Sequence, residues 1–201
     1  MKIGIYGGTF NPIHRGHIAL AKQVLKKALL DEIWMMVSPM SPFKQGDSDL
    51  LDDEIRLNLA RKALENEPKL MASDYEFRMP RPSYTWDTLQ SLSKDYPDHD
   101  FSLIIGADNW AVFDRWYHAG DILKNYHLII YPREGSPIDP ATLPPSATLT
   151  DTRLYRVSST DIRRRIREGR PVRRLVPEAV YDDVLAYYKP HSTHPDERPN
   201  R

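Results

Sequence analysis

The sequence contains no cysteine. A disulfide framework, a thiolate nucleophile and a cysteine-ligated zinc are therefore excluded, and any chemistry rests on other groups. Long apolar runs are missing too. Hydrophobic residues make up 40% of the chain, yet no run of them approaches the ~20 needed to span a bilayer, so no membrane partner is expected. Met1-Lys2 leads straight into Ile3-Gly4-Ile5-Tyr6 without the longer apolar core and small-residue cleavage site of a signal peptide. A cytoplasmic location is the expectation. Nor is there an excess of one charge. Lys plus Arg and Asp plus Glu both number 28, which advertises no nucleic-acid partner, although basic residues gather locally between Arg153 and Arg174.

What is present is 201 residues, enough to bury a sizeable core, and a single domain is expected over residues 1–189. Lys2 to Tyr6 is a short β-branched run closed by Gly7-Gly8. An apolar-periodic stretch from Ile18 to Leu30 follows, then a second buried-strand run from Glu32 to Val37. Such a strand, helix and strand make a right-handed βαβ unit with parallel strands. The alternation continues with a helix from Asp52 to Leu64, a weaker strand at Leu70 to Ser73, and a helix from Thr85 to Tyr96. Strands at Phe101 to Ile105 and His127 to Tyr131 flank an aromatic segment containing Trp110, Phe113, Trp116 and Tyr117. The fold class is α/β: a Rossmann-like parallel sheet flanked by helices. Four prolines make Glu134 to Ser146 a loop. Helices at Thr160 to Glu168 and Glu178 to Tyr188 form a small C-terminal helical part, about 158–189. The polar, proline-rich tail over 190–201 is expected to be disordered. There is no internal repeat.

Three constellations carry chemistry. The first is Gly7-Gly8-Thr9-Phe10-Asn11-Pro12-Ile13-His14-Arg15-Gly16-His17, at the first strand-to-helix turn. Glycines there permit positive φ and let backbone N–H groups approach a phosphate, while the helix that follows offers its positive dipole end. His14 and His17, three residues apart, can face the same side and donate hydrogen bonds to phosphate oxygens. The plainer alternative is a capping histidine beside a surface one. A metal pair lacks a third ligand, so no metal site is expected. The second constellation is Val157-Ser158-Ser159-Thr160-Asp161-Ile162-Arg163. Its hydroxyls and free N–H groups suit an anion, with Arg163 as a planar fork; taken alone, it is also a well-capped basic helix. The third is Gly106-Ala107-Asp108-Asn109-Trp110 after a strand, where Asp108 can accept from ribose hydroxyls, cap a helix, or both.

The G-G-T-F-x-P-x-H-x-G-H pattern after an N-terminal strand resembles the HxGH nucleotidyltransferase superfamily. The resemblance implies that His14 and His17 contact ATP phosphates and stabilise the pentacoordinate phosphorus, with Gly7, Gly8, Thr9 and Phe10 in the ATP loop. It places Ser159, Thr160 and Arg163 on the opposite side of a clamp and Asp108 on the adenosine side. Ser83-Tyr84-Thr85-Trp86-Asp87-Thr88-Leu89 resembles the S-Y-T-x-D-T-L signature of the bacterial nicotinate mononucleotide adenylyltransferases. Trp116 matches that subgroup's tryptophan, although a packed core aromatic is its plainer reading. Tyr84 and Thr85 would then aim N–H groups at the pyridine substituent while Trp116 stacks on the ring. After Ser38, Pro39-Met40-Ser41-Pro42-Phe43-Lys44 is similar to the subgroup's P-x-P-P-H-K loop, with Ser41 and Phe43 in place of its proline and histidine. Ser38 and Lys44 are thereby expected on the acceptor side, Lys44 near the reacting phosphates. The implied partners are ATP and nicotinate mononucleotide, and the implied cofactor is Mg²⁺ carried with ATP; a homo-oligomer is left open. The competing readings are a phosphopantetheine adenylyltransferase, which shares the HxGH loop, and a non-catalytic nucleotide sensor.

Overall fold

The structure is a computed structural model that describes residues 1–39 and 49–189. Six strands, all parallel, form one sheet: β1 (Lys2–Gly8), β2 (Glu32–Val37), β3 (Leu70–Ser73), β4 (Asp100–Gly106), β5 (His127–Tyr131) and β6 (Ala147–Leu149). Their spatial order is β3-β2-β1-β4-β5-β6, the doubly wound Rossmann-like order in which the winding direction reverses between β1 and β4. Seven α-helices lie among the described residues: α1 (Arg15–Lys27), α2 (Asp53–Leu64), α3 (Thr85–Asp95), α4 (Ala107–Trp110), α5 (Ala119–Asn125), α6 (Ser159–Arg167) and α7 (Tyr181–Tyr188).

Strands buried on both faces must be apolar on both, and they are. Along β2, Ile33, Met35 and Val37 pack on one side with α1, α2, α6 and α7, whereas Trp34 and Met36 pack on the other with α3 and α5. The period of two repeats in β4 and β5: Ile104 and Ile129 join the first layer, Leu103, Ile105, Leu128 and Ile130 the second. Register in a sheet with two buried faces is strongly fixed, because a one-residue slip would exchange the layers.

Several boundaries differ from expectation for identifiable reasons. α1 runs from Arg15 to Lys27 rather than Ile18 to Leu30, because the histidine pair caps it early and Leu29, at φ 52°, turns the chain out of the helix. The positive φ expected of Gly7 and Gly8 falls instead on Phe10, at φ 45°; both glycines remain strand residues at the end of β1. β6 and α5 were not foreseen. β6 follows the proline-rich stretch, whose only helical turn is a short 3₁₀ piece at Pro140–Thr142. The tail over 190–201 lies outside the described residues.

Candidate active site

Ligands of open α/β sheets bind beyond the carboxyl ends of the strands, where the winding reverses. Here that place is the mouth between Gly8 of β1 and Gly106 of β4, and a cavity of about 580 Å³ opens there. Every expected site residue within the described part lines it, from Gly7 and His14 to Trp116 and Arg163. Lys44, with residues 40–43 before it, lies outside the described residues.

The histidines are placed by their own helix. His14 is the N-cap of α1. Its Nδ1 accepts the N–H of His17 at 3.3 Å, and Nδ1 of His17 accepts the N–H of His14 at 3.2 Å. The two rings stack at 3.5 Å between centroids. A neutral imidazole that accepts at Nδ1 carries its proton on Nε2, so this reciprocal cap sets both tautomers. Burial, and then the positive charge of Arg133, lower the pKa of His14 to about 3; its imidazole is neutral at pH 7. A Cβ on Gly16, between the two, would sit 3.0 Å from Nδ1 of His14 and press against its ring.

The loop from Thr9 to Ile13 is held from the far end of the chain. On α6, Ser158 caps the helix by accepting the N–H of Asp161, which leaves the neighbouring Ser159 hydroxyl to donate to the Pro12 carbonyl at 2.9 Å. Arg163 is buried, and its Nη1 donates to the Asn11 carbonyl at 2.8 Å. The Tyr188 hydroxyl at the end of α7 donates to the Asn11 side chain at 2.5 Å. The same amide accepts from Leu51 N–H and donates to the Asp49 carbonyl. Thr160, one residue into α6, is exposed.

On the other side, Asp108 stands on α4, whose N-cap is Gly106, so the aspartate is not itself the cap. Nε of Arg133 donates to it at 3.4 Å. Arg133 was not singled out in the sequence. Its signal was position: it follows β5 by two residues, beyond a strand's carboxyl end. α3 begins after Tyr84 with no side-chain cap. Tyr84 packs on Tyr117 at 5.0 Å between centroids. Trp116 leans on Phe113 at 5.2 Å, and its Nε1 is buried with no hydrogen-bond partner among the described residues. Beneath them lies the buried carboxyl of Glu76, accepting from Thr88 Oγ1 at 2.9 Å and Ser83 Oγ at 3.3 Å; burial pushes its pKa up. No group of three or more His, Cys, Asp or Glu among the described residues is arranged to hold a metal ion.

The sequence profile of the Cytidylyltransferase-like family matches residues 5–165. A protein of Bacteroides fragilis named "Probable nicotinate-nucleotide adenylyltransferase" is 45% identical over 184 residues, covering 92% of this chain and 91% of that protein. One of the same name from Bacteroides thetaiotaomicron is 43% identical over 189 residues, 94% of this chain and 93% of that one. Among solved structures, the Plasmodium falciparum nicotinic acid mononucleotide adenylyltransferase complexed with NaAD superposes with a TM-score of 0.75 at 21% identity, covering 92% of this chain and 93% of that chain. That last likeness bears on the fold.

Proposed function

The chain belongs to the Cytidylyltransferase-like family and, within it, to the nicotinate-nucleotide adenylyltransferases, and on that premise we propose that it transfers the adenylyl group of ATP to nicotinate mononucleotide in NAD biosynthesis. The products are nicotinate adenine dinucleotide and pyrophosphate. The observation that carries the reading is the single cavity at the winding reversal, which gathers the reciprocally capped histidines, α6 and the Tyr84 to Trp116 wall around one space. A cytoplasmic location goes with this reading; no helix among the described residues is long and apolar enough to cross a membrane.

In the proposed mechanism an oxygen of the mononucleotide phosphate attacks the α-phosphorus of ATP in line, and the bond to pyrophosphate breaks. The attacking phosphate is already ionised at neutral pH, so no protein base has to move a proton. The protein's part is positioning and charge stabilisation. His14 and His17 are proposed to donate from Nε2 to the phosphate oxygens as charge shifts toward pyrophosphate; a neutral His14 serves as a fixed dipole and not as an acid. Gly7, Gly8, Thr9 and Phe10 line the ATP side, with Asp108 toward the ribose and Ser159, Thr160 and Arg163 closing from α6. Ser38, Tyr84, Thr85 and Trp116 are proposed to receive the acceptor, with Lys44 near its phosphate. Mg²⁺ is proposed to arrive on the ATP phosphates, held otherwise by water, where it neutralises charge.

The test is a panel of acceptors offered with ATP and Mg²⁺, with products resolved by chromatography and pyrophosphate measured. Nicotinate mononucleotide should give the dinucleotide. Turnover only with phosphopantetheine, or ATP binding without pyrophosphate release, would replace the proposal by the corresponding alternative.

A further inference from the structure

Arg56 lies on α2, fully buried and away from the cavity wall. A guanidinium has five N–H donors, and here each meets an acceptor. Nε donates to the Leu51 carbonyl at 2.9 Å. Nη1 donates to the carbonyls of Thr9, at 2.6 Å, and Ser38, at 3.0 Å. Nη2 donates to the Pro39 carbonyl at 3.4 Å and to Oδ1 of Asp53 at 2.5 Å. The other oxygen of Asp53 accepts from Arg81 at 2.8 Å, and Arg81 opens the segment that runs through Ser83 into Tyr84 and Thr85. One rigid, planar group thus joins the loop after β1, the exit of β2 and, through Asp53, the approach to α3.

Burying a charge is costly, and an apolar side chain in its place on the inner stripe of a helix is often as stable or more so. A guanidinium that gives four of its five donors to backbone carbonyls of two separate loops is better matched to fixing their spacing. Transfer between two bound nucleotides depends on that spacing, because a misplacement of about 1 Å can cost ~10²-fold in rate.

We propose that Arg56 is a positioning residue of the transfer step: it sets the separation between the Thr9 side of the cavity, which holds ATP, and the Ser38 and Tyr84 side, which holds the acceptor. The proposal rests on the functional reading above. It requires that loss of the fork harm the reaction between bound partners more than the binding of either one.

The experiment compares Arg56→Lys with the parent protein. Calorimetry gives the affinity for ATP alone and for nicotinate mononucleotide alone, and single-turnover measurements with both saturating give the transfer rate. The rate should fall ~10- to 100-fold, while each separate Kd moves less than about 3-fold. A merely structural role would lower the melting temperature and both affinities together without producing that split. Asp53→Asn should show the same split more weakly, and the double variant should be no slower than Arg56→Lys, because both act through one guanidinium. A folded Arg56→Lys protein with an unchanged rate, or a rate loss matched by lost affinity, overturns the proposal. If Arg56→Lys fails to fold, the split in Asp53→Asn decides in its place. Should the parent protein use a different acceptor, the functional reading falls and the same comparison is made with that acceptor; should it transfer to none, both fall.

Discussion

At the histidine end of the cavity, polar groups are engaged before any ligand arrives. His14 and His17 cap each other, Asn11 is held by Arg163, Tyr188 and Leu51, and the Pro12 carbonyl takes the Ser159 hydroxyl. The opposite wall is left incomplete. Tyr84 is 40% exposed, and α3 starts without a side-chain cap, so its first N–H groups stand open. An end whose donors are already oriented acts the same way on every substrate, which suits stabilising a transition state. An end whose donors stand open can distinguish one ligand from another, because only a matching acceptor fills them.

The comparison breaks most decisively at the histidines. His14→Ala and His17→Ala should each give a folded protein whose kcat, at saturating ATP and acceptor, falls ~10²- to 10³-fold, as when one oriented donor to a developing charge is removed. Near-normal kcat in both variants would show that this end is only a helix cap.

A smaller effect should sharpen the other end. A nicotinate carboxylate accepts at both oxygens, whereas a nicotinamide turns an NH₂ toward one donor. An unmatched buried donor costs ~1–3 kcal/mol, so kcat/KM should favour the acid by roughly 5- to 150-fold. Trp116→Ala should weaken both acceptors and leave the ratio in place, since both rings stack. Thr85→Pro should shrink the ratio. Thr85 is the first residue of α3, a position proline accepts readily, and Tyr84 before it is already extended at φ −106° and ψ 143°, as a residue preceding proline prefers. The substitution therefore deletes one N–H without unwinding the helix. Equal parental values for acid and amide would place the donors elsewhere.

A separate effect is on stability rather than on rate. Because the folded pKa of His14, about 3, lies below its ordinary value of about 6.5, the unfolded chain binds its proton first as pH falls. This group's contribution to stability is intact above about pH 6.5 and declines toward pH 3, by as much as ~1.4 kcal/mol per pH unit. Urea midpoints of the parent and His14→Gln should converge as pH falls through that window. Curves that stay parallel would mean that folding leaves the proton affinity of His14 unchanged.

The residues that were legible in the sequence are those whose chemistry is local. The strand and glycine turn before His14, the serines opening α6, and the run from Ser83 to Leu89 each carry their pattern within a dozen positions, and all line one cavity. The strand order was not legible, because hydrophobic alternation tells which faces are buried and not which strand is the neighbour. Arg56 was hidden for a different reason. It occupies the inner stripe of α2 with Leu59, Ala60 and Ala63, where a charge reads as an interruption of the pattern, and four of its five acceptors are backbone carbonyls that no side-chain motif records. Tyr188 had no local signal at all, since its partner is 177 residues away. α5 was missed because it is only seven residues long and follows an aromatic run that hid its start.

The far reach of these contacts also orders events during synthesis. The loop from Thr9 to Ile13 leaves the ribosome well before Ser159, Arg163 and Tyr188, which fasten it and come 147, 152 and 177 residues after their partners. At ~5–20 residues per second, translation leaves that loop unfastened for on the order of 10–35 s. A nascent chain that has just completed β6 has the strands of the whole sheet but no fastening for the carbonyls of Asn11 and Pro12. The sheet can therefore form first, and the loop at the mouth of the cavity is fastened in full only once α7 has emerged.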